Sequence, residues 1–309
     1  MIPLTDFVAG HTYKGEDGGL YGNRNNEPPI EHQQSAKRQL AEIVPRDTEG
    51  NPAADGRIVM ISIGMSNATQ EFSVFKRMAD DDSSKSPSLT IVDCAQGGQA
   101  MHQWASAEAR PWPVAEQRLS AAGVSRPQVQ VAWVKLANMR PQGDLQKHGR
   151  ELYDDTLRVL RVARQRFPNL RVVYLSSRTY GGYSTSTLSP EPYAYESAFV
   201  CRWLIQDQIQ EKQGFDYDAS RGTAEAPLLL WGPYIWANGV NGRNSDGLVW
   251  ERADFAKDGT HPSRVAARRS PVSCWISSRH RPSRRRGLLP SVRLFPPESP
   301  TPAITKRSN

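Results

Sequence analysis

The sequence contains few residues of the kinds that build disulfide frameworks or metal sites. Its three cysteines, Cys94, Cys201 and Cys274, are too few and too widely spaced for either, so we expect buried or free thiols. His102 and His148 have no cysteine, histidine or carboxylate at a metal-ligand spacing. We therefore predict neither a metal ion nor a cofactor.

Long apolar segments are also missing. The longest apolar runs are shorter than about ten residues, which is too short to cross a bilayer. Residues 1–6 lack both the basic and the apolar segment of a secretory signal peptide. The cytoplasm is therefore the default expectation, and secretion or export to a periplasm is left open if the N-terminus is incomplete.

The positive charge of the chain is concentrated at one end. The net charge is +7, but residues 264–309 hold eleven lysines and arginines and a single acidic residue, Glu298. Residues 1–263 are consequently mildly acidic. The net charge therefore does not indicate a nucleic-acid-binding surface on the main body.

Residues 264–309 also differ in composition from the rest of the chain. Proline, serine and arginine dominate without a helical or strand period, which predicts a disordered basic tail. Pro271 would stop a helix soon after it began. The abrupt change suggests that this segment is read out of frame or is a scar of truncation. The alternative is a native basic tail that binds nucleic acid or an anionic surface.

Short apolar runs alternate with helix-like segments along most of the chain. The predicted strands cover residues 57–63, 89–94, 128–136, 170–175 and 228–231, and the predicted helices cover 36–44, 67–78, 151–167 and 194–213. This alternation predicts a three-layer α/β/α domain over residues 55–263, with helices on both faces of a parallel sheet. Residues 1–54 are rich in glycine, asparagine and proline and are predicted to form a loop-rich segment packed on that domain.

Two short segments almost two hundred residues apart contain the side chains of a nucleophilic site. Ser66 follows the first predicted strand, with Gly64 two residues before it, so its hydroxyl is expected at the carboxyl edge of the sheet, where open α/β sheets bind ligands. Asp258 and His261 are three residues apart, so the carboxylate is able to accept from the imidazole Nδ1. The alternatives are a helix-capping serine and an ordinary surface turn.

Two more residues are expected at the same edge of the sheet. Gly98 follows the second predicted strand and Asn138 follows the third. The Gly98 N–H and the Asn138 side-chain NH₂ are the kinds of donors that hold an oxyanion. The alternatives are a simple turn glycine and a capping asparagine.

In chain order, these motifs resemble the four blocks of the SGNH, or GDSL-type, hydrolase superfamily over residues 55–263. The matching residues are Gly64, Ser66, Gly98, Asn138, Asp258 and His261. The resemblance implies a flavodoxin-like α/β/α fold and a serine hydrolase of carboxylic esters, O-acetyl and short-acyl carbohydrate esters included. It implies Ser66, Asp258 and His261 as the catalytic triad. It further implies an oxyanion hole formed by Ser66, Gly98 and Asn138.

The chain departs from that family at three places. Met65 stands where the first block usually has Asp, and the third block, usually Gly-x-Asn-Asp, here reads Leu136-Ala137-Asn138-Met139. The family usually continues past the histidine block into a helix that closes the sheet. Because a Pro- and Arg-rich stretch takes that place here, we expect a loosely held His261 or reduced activity.

Aromatic residues follow the fourth and fifth predicted strands. We expect four of them to line the cleft and bind an apolar or sugar-bearing ester: Tyr180, Tyr183, Tyr234 and Trp236. The alternative is that these rings pack in the core. Competing interpretations of the whole chain are a non-catalytic or carbohydrate-binding relative of the fold and a nucleic-acid-binding protein that acts through its tail. The oligomeric state is not predicted.

Overall fold

The computed structural model of the chain describes residues 1–220 and 222–269. Its strands are β1 (Ile58–Ile63), β2 (Leu89–Val92), β3 (Val129–Lys135), β4 (Val172–Ser176) and β5 (Leu228–Trp231). Its α-helices are α1 (Ile30–Ala41), α2 (Ser66–Asp80), α3 (Met101–Trp104), α4 (Pro111–Ala121), α5 (Leu145–Arg166), α6 (Tyr193–Ile209) and α7 (Arg264–Arg269). Single 3₁₀ turns lie at Leu4–Asp6, Arg126–Gln128 and Arg252–Asp254.

The five strands form one parallel sheet in the order β2-β1-β3-β4-β5. This is the flavodoxin-like order, in which the chain moves outward to β2 and then returns to the other side of β1 to form β3. The loops after β1 and β3 therefore separate at the carboxyl edge of the sheet. Open α/β sheets bind ligands in the crevice that forms at such a point.

Helices cover both faces of the sheet, which confirms the predicted α/β/α class. Along β4, Val172 and Tyr174 pack in a cluster that contains Phe72 and other α2 residues. Val173 and Leu175 point to the opposite face, into the cluster that contains residues of α4, α5 and α6. Every residue of β4 is buried, as expected for a parallel strand covered on both sides.

The structure corrects several predicted element boundaries. The N-terminal helix covers residues 30–41 rather than 36–44, and α5 begins at residue 145 rather than 151. Asp144 explains the earlier start of α5, because its side chain accepts from the N–H of Lys147, 3.0 Å away, and caps the helix. The short helices α3 and α4 were not predicted. They bury Trp104 and Trp112, whose rings meet edge to face with centroids 4.8 Å apart.

Residues 264–269 form α7, inside the segment that the sequence assigned to the tail. The prediction of disorder is therefore wrong for these six residues. Ala266 is fully buried in a small apolar cluster with Trp250 and Phe255, and α7 contacts α2. The predictions for residues 270–309 lie outside the described residues. In the described part of the chain, no helix is long and apolar enough to cross a membrane.

Candidate active site

Ser66 is the first residue of α2 and follows β1 by a two-residue turn. Gly64 in that turn has φ +147°, a conformation that residues with a Cβ rarely adopt. A Cβ on Gly64 would lie 2.9 Å from the Ala68 Cβ and 3.2 Å from the Lys135 carbonyl oxygen. The turn is therefore tight enough to require glycine. It also leaves the Ser66 N–H at the start of the helix, where it has no intrahelical partner.

We expect Gly64→Ala to lower the free energy of unfolding by about 1–3 kcal/mol, because the new Cβ forces either the strained φ angle or the Ala68 contact to change. Urea denaturation measures this loss. Gly123→Ala is the matched control, since Gly123 also has positive φ (+70°) but no atom within 4 Å of a Cβ there. Equal losses in the two variants would show that the crowding at Gly64 has no energetic consequence.

The structure brings Ser66, His261 and Asp258 together in a hydrogen-bonded line. The Ser66 Oγ lies 2.7 Å from the His261 Nε2, and the His261 Nδ1 lies 2.5 Å from the Asp258 Oδ2. With the proton on Nδ1, the imidazole donates to the carboxylate and its Nε2 accepts from the serine hydroxyl. The imidazole is thus placed to remove the hydroxyl proton.

The Asp258 carboxylate is held in its ionised form. Burial by itself would raise its pKa, but the hydrogen bond from the His261 side chain and those from the N–H groups of His261 and Thr260 outweigh burial and lower the pKa to about 2. Both N–H groups lie 3.0 Å from the Asp258 Oδ1. The carboxylate therefore both orients the ring and provides a negative charge beside an imidazolium.

This pKa shift predicts how Asp258 contributes to stability at low pH. Because its folded pKa lies below the ordinary value of ~3.9, the contribution is complete above about pH 4 and is lost as the pH falls through about 2. The difference between the unfolding free energies of wild type and Asp258→Asn, measured in urea at a series of pH values, is expected to shrink as the pH falls from about 4 to about 2. A difference that stays constant between these two pH values would contradict the assignment. The exposed Asp154→Asn serves as the control.

Asn67 is a site residue that the sequence analysis missed. Its side chain is 2% exposed, and its Nδ2 donates to the Thr260 carbonyl oxygen, 2.7 Å away. The residue next to the serine therefore holds the loop that carries the histidine. The sequence indicated that Asn67 needs a hydrogen-bond partner, because a polar side chain buried in the first turn of a helix is rarely left unpaired. It did not indicate which partner, since Thr260 is 193 positions away.

A Ser/Thr-rich loop after β4 contacts the same histidine loop from the other side. The Ser184 Oγ lies 2.6 Å from the Thr260 Oγ1, and the Thr185 N–H donates to the Asp258 carbonyl oxygen at 3.0 Å. Gly259, with φ +61°, lies so close to the Tyr183 carbonyl oxygen that a Cβ would be 1.7 Å from it. The histidine loop is therefore held by hydrogen bonds from two elements, from the Asn67 side chain on α2 and from Ser184 and Thr185 after β4.

Gly97 lies beside the serine in the loop after β2, and Gly98 is the next residue of that loop. A Cβ on Gly97 would lie 4.0 Å from the Ser66 Cβ, and Gly98 has φ +74°. The Ser62 Oγ shapes this loop because it donates to Asp93 at 2.5 Å and accepts from two successive N–H groups of the loop. Within residues 1–220 and 222–269, neither the Gly98 N–H nor the Ser66 N–H donates to a backbone carbonyl.

Asn138 is the third residue after β3, at the same edge of the sheet. Its Oδ1 accepts from the His102 N–H at 2.9 Å, and its Nδ2 donates to the Asp155 Oδ2 at 2.7 Å. These two contacts hold the amide in one orientation. One Nδ2 hydrogen is donated to Asp155, and the second Nδ2 hydrogen takes no part in these two contacts.

Two of the four aromatic residues predicted to line the cleft do not reach it. Tyr234 is 6% exposed, and its hydroxyl accepts from the Leu4 N–H at 3.0 Å. Trp236 is fully buried, and its Nε1 donates to Glu191. The prediction is wrong for this pair because the chain after β5 turns into the core and the N-terminal segment covers it. Tyr180 and Tyr183 are half-buried and meet edge to face, with ring centroids 5.1 Å apart.

Two thiols and two histidines of the described chain are not part of the line from Ser66 through His261 to Asp258. Cys94 and Cys201 are buried, and burial raises the pKa of the Cys94 thiol to about 12. His148 is buried against Glu196, whereas the His102 side chain is mostly exposed. In the part of the chain that the structure describes, no cluster of three or more His, Cys, Asp or Glu residues is arranged to hold a metal ion.

No family model and no curated protein matches the chain. Among solved structures, it is similar to a Bacteroides fragilis protein assigned as an acylhydrolase (11% identity, TM-score 0.37, 78% of this chain and 93% of that one). It is also similar to a gut microbial diltiazem-metabolizing enzyme (11%, TM-score 0.38, 72% and 46%). A third similar structure is the periplasmic domain of the Salmonella ser. Paratyphi A lipopolysaccharide acetyltransferase (14%, TM-score 0.31, 47% and 62%). Identities and TM-scores this low carry no argument about this chain's activity.

Proposed function

We propose that this chain is a serine hydrolase that cleaves carboxylic esters through an acyl-enzyme on Ser66. The observation that carries the proposal is the continuous line of contacts from the Ser66 Oγ through the His261 ring to the Asp258 carboxylate. A serine hydroxyl is a weak nucleophile until a neighbouring base accepts its proton. A histidine oriented by a carboxylate is the usual base for that purpose.

In the first half-reaction, the Ser66 Oγ attacks the ester carbonyl carbon while its proton passes to the His261 Nε2. The tetrahedral intermediate then collapses, the bond from carbon to the alcohol oxygen breaks, and His261 returns the proton to the departing alcohol. In the second half-reaction, water gives a proton to His261 and attacks the acyl carbon. The carboxylic acid leaves, and the Ser66 hydroxyl is restored.

The oxyanion of each intermediate is proposed to accept hydrogen bonds from the N–H groups of Ser66 and Gly98 and from the Asn138 side chain. Two features support this assignment: the Ser66 N–H begins a 15-residue helix, whose dipole favours negative charge there, and Gly97, the residue before Gly98, lies beside the serine. Removal of one such donor typically lowers kcat by about 10²–10³-fold.

We propose short-acyl esters, O-acetyl carbohydrate esters included, as the substrate class. Tyr180 and Tyr183 remain candidates for contact with the substrate, since both rings are partly exposed. Tyr183 also belongs to the loop that packs on Gly259, close to the histidine. An aromatic face of this kind suits the apolar face of a sugar or an acyl chain.

Hydrolysis of p-nitrophenyl acetate, combined with labelling by a fluorophosphonate, tests the proposal. We expect turnover and a single covalent adduct on the peptide that contains Ser66, found by mass spectrometry. Ser73→Ala is the matched control, because Ser73 lies on the same helix and its Oγ donates to the Gln70 carbonyl within that helix. A non-catalytic relative would give neither turnover nor adduct, and an adduct on another residue would refute the assignment of Ser66.

A further inference from the structure

The carboxylate of Asp155, in the middle of α5, contacts the side chain proposed to complete the oxyanion hole. Its Oδ2 accepts from the Asn138 Nδ2 at 2.7 Å, and its Oδ1 accepts from the Arg158 Nη1 at 3.1 Å. The Asp155 side chain is 8% exposed. A carboxylate this far out of water needs partners, and these two hydrogen bonds satisfy one oxygen each. The His102 Nδ1 also lies 3.6 Å from the Oδ2.

An asparagine amide can bind with either end, and its two ends are nearly the same size. The Asp155 carboxylate only accepts, so it selects the Nδ2 end. The His102 N–H at the start of α3 only donates, so it selects the Oδ1 end. The two contacts agree on one orientation, which keeps the second Nδ2 hydrogen available for an oxyanion.

We propose that Asp155 is a positioning residue for ester hydrolysis, which acts by fixing the orientation of the Asn138 amide. The inference rests on the proposed function of Asn138 as an oxyanion donor. Arg158 also contributes to this role. The negative charge of Asp155 near a developing oxyanion is unfavourable unless a positive charge offsets it. Arg158, three residues further along the same helix, contributes to that offset, and the His102 Nδ1, 3.6 Å from the Asp155 Oδ2, adds to it when the imidazole is protonated.

A double-mutant cycle separates this role from a purely structural one. Asp155→Ala is expected to lower kcat for p-nitrophenyl acetate by about tenfold with little change in KM, because a misoriented amide weakens binding of the transition state and not of the ester. In an Asn138→Ala background, the same substitution is expected to change kcat by less than about twofold. Asp155→Asn, which retains an acceptor, should recover part of the loss. Asp154→Ala, an exposed neighbour on the same helix, is the control and should leave kcat unchanged.

Two results would overturn the inference: an unchanged kcat in Asp155→Ala, or an equal loss in the presence and absence of Asn138. Neither depends on whether Ser66 is the nucleophile, which the adduct experiment decides separately. If the chain proves inactive towards esters, the crystal structure of Asp155→Ala decides the inference. We expect a rotated or doubly oriented Asn138 amide there, and an amide that stays in place would refute the positioning role.

Discussion

Replacement of Ser66 or His261 by alanine is expected to lower kcat for ester hydrolysis by about 10⁴–10⁶-fold. Ser66→Ala removes the atom that becomes acylated, and His261→Ala removes the base that accepts its proton. Because the two side chains act in the same step and touch at 2.7 Å, the double variant should be no slower than either single variant. Single-turnover kinetics with p-nitrophenyl acetate measure all three.

The matched controls are Ser73→Ala on α2 and His11→Ala, whose side chain is exposed in the N-terminal segment. Both should retain wild-type kcat. If the losses of Ser66→Ala and His261→Ala multiplied in the double variant, the two residues would be acting independently, and the proposed mechanism would be wrong. Thermal unfolding of each variant excludes loss of the fold as the cause.

The largest effect on stability is expected from Lys135 and Glu71, which form an ion pair beneath the turn that carries Ser66. The Lys135 Nζ lies 2.5 Å from the Glu71 Oε1, and both side chains are fully buried between β3 and α2. Burial lowers the pKa of Lys135 to about 8, while the charge of Glu71 opposes that shift. The Lys135 carbonyl oxygen also limits the space around Gly64, so the pair lies directly under the serine turn.

Lys135→Met is expected to lower the free energy of unfolding by about 3–5 kcal/mol, because it removes the cation hydrogen-bonded to the buried Glu71 carboxylate, which then faces only the charge of Arg178. The double variant Lys135→Met with Glu71→Leu should recover part of that loss, since it removes both charges of the pair and keeps the volume filled, although Arg178 remains buried beside them. Urea denaturation followed by circular dichroism gives these values.

The exposed pair of Lys76 and Asp80 on the same helix provides the control. Lys76→Met is expected to change stability by less than about 1 kcal/mol, because solvent screens that pair and side-chain entropy offsets it. Two outcomes would show that the buried pair is not the source of the effect. One is a loss of unfolding free energy in Lys135→Met as small as that in Lys76→Met. The other is a double variant that is no more stable than Lys135→Met.

The sequence was most informative where local pattern and fold requirement coincide. The apolar run that ends at Gly64 predicted β1, because a parallel strand buried on both faces is apolar along its whole length. The residues that follow such a strand lie at the carboxyl edge of the sheet, which placed Ser66 there. Residues 228–231 were predicted as a strand with both ends correct. The spacing of Asp258 and His261 predicted their contact because it is local.

Prediction was poorer where the outcome depended on distant partners. The rings of Tyr234 and Trp236 follow a strand in the same way as Tyr180, but the N-terminal segment and Glu191 bury them. The early part of the supposed tail forms a helix because Ala266 finds an apolar cluster to pack against. Short segments gain little stability from intrinsic helix propensity, so the tertiary contacts that they make decide whether they become helical.

By itself, the amino-acid sequence determined the α/β/α class and the identity of the candidate nucleophile, base and carboxylate. Both follow from local features of the chain, namely the hydrophobic periodicity and the chemistry of individual residues. Tertiary structure alone decided which side chains hold them. Asn67 reaches Thr260 and Asn138 reaches Asp155 across 193 and 17 positions, respectively. The physical reason is that a hydrogen bond depends on distance and direction in space, and for residues on different elements the packing of the helices against the sheet sets both.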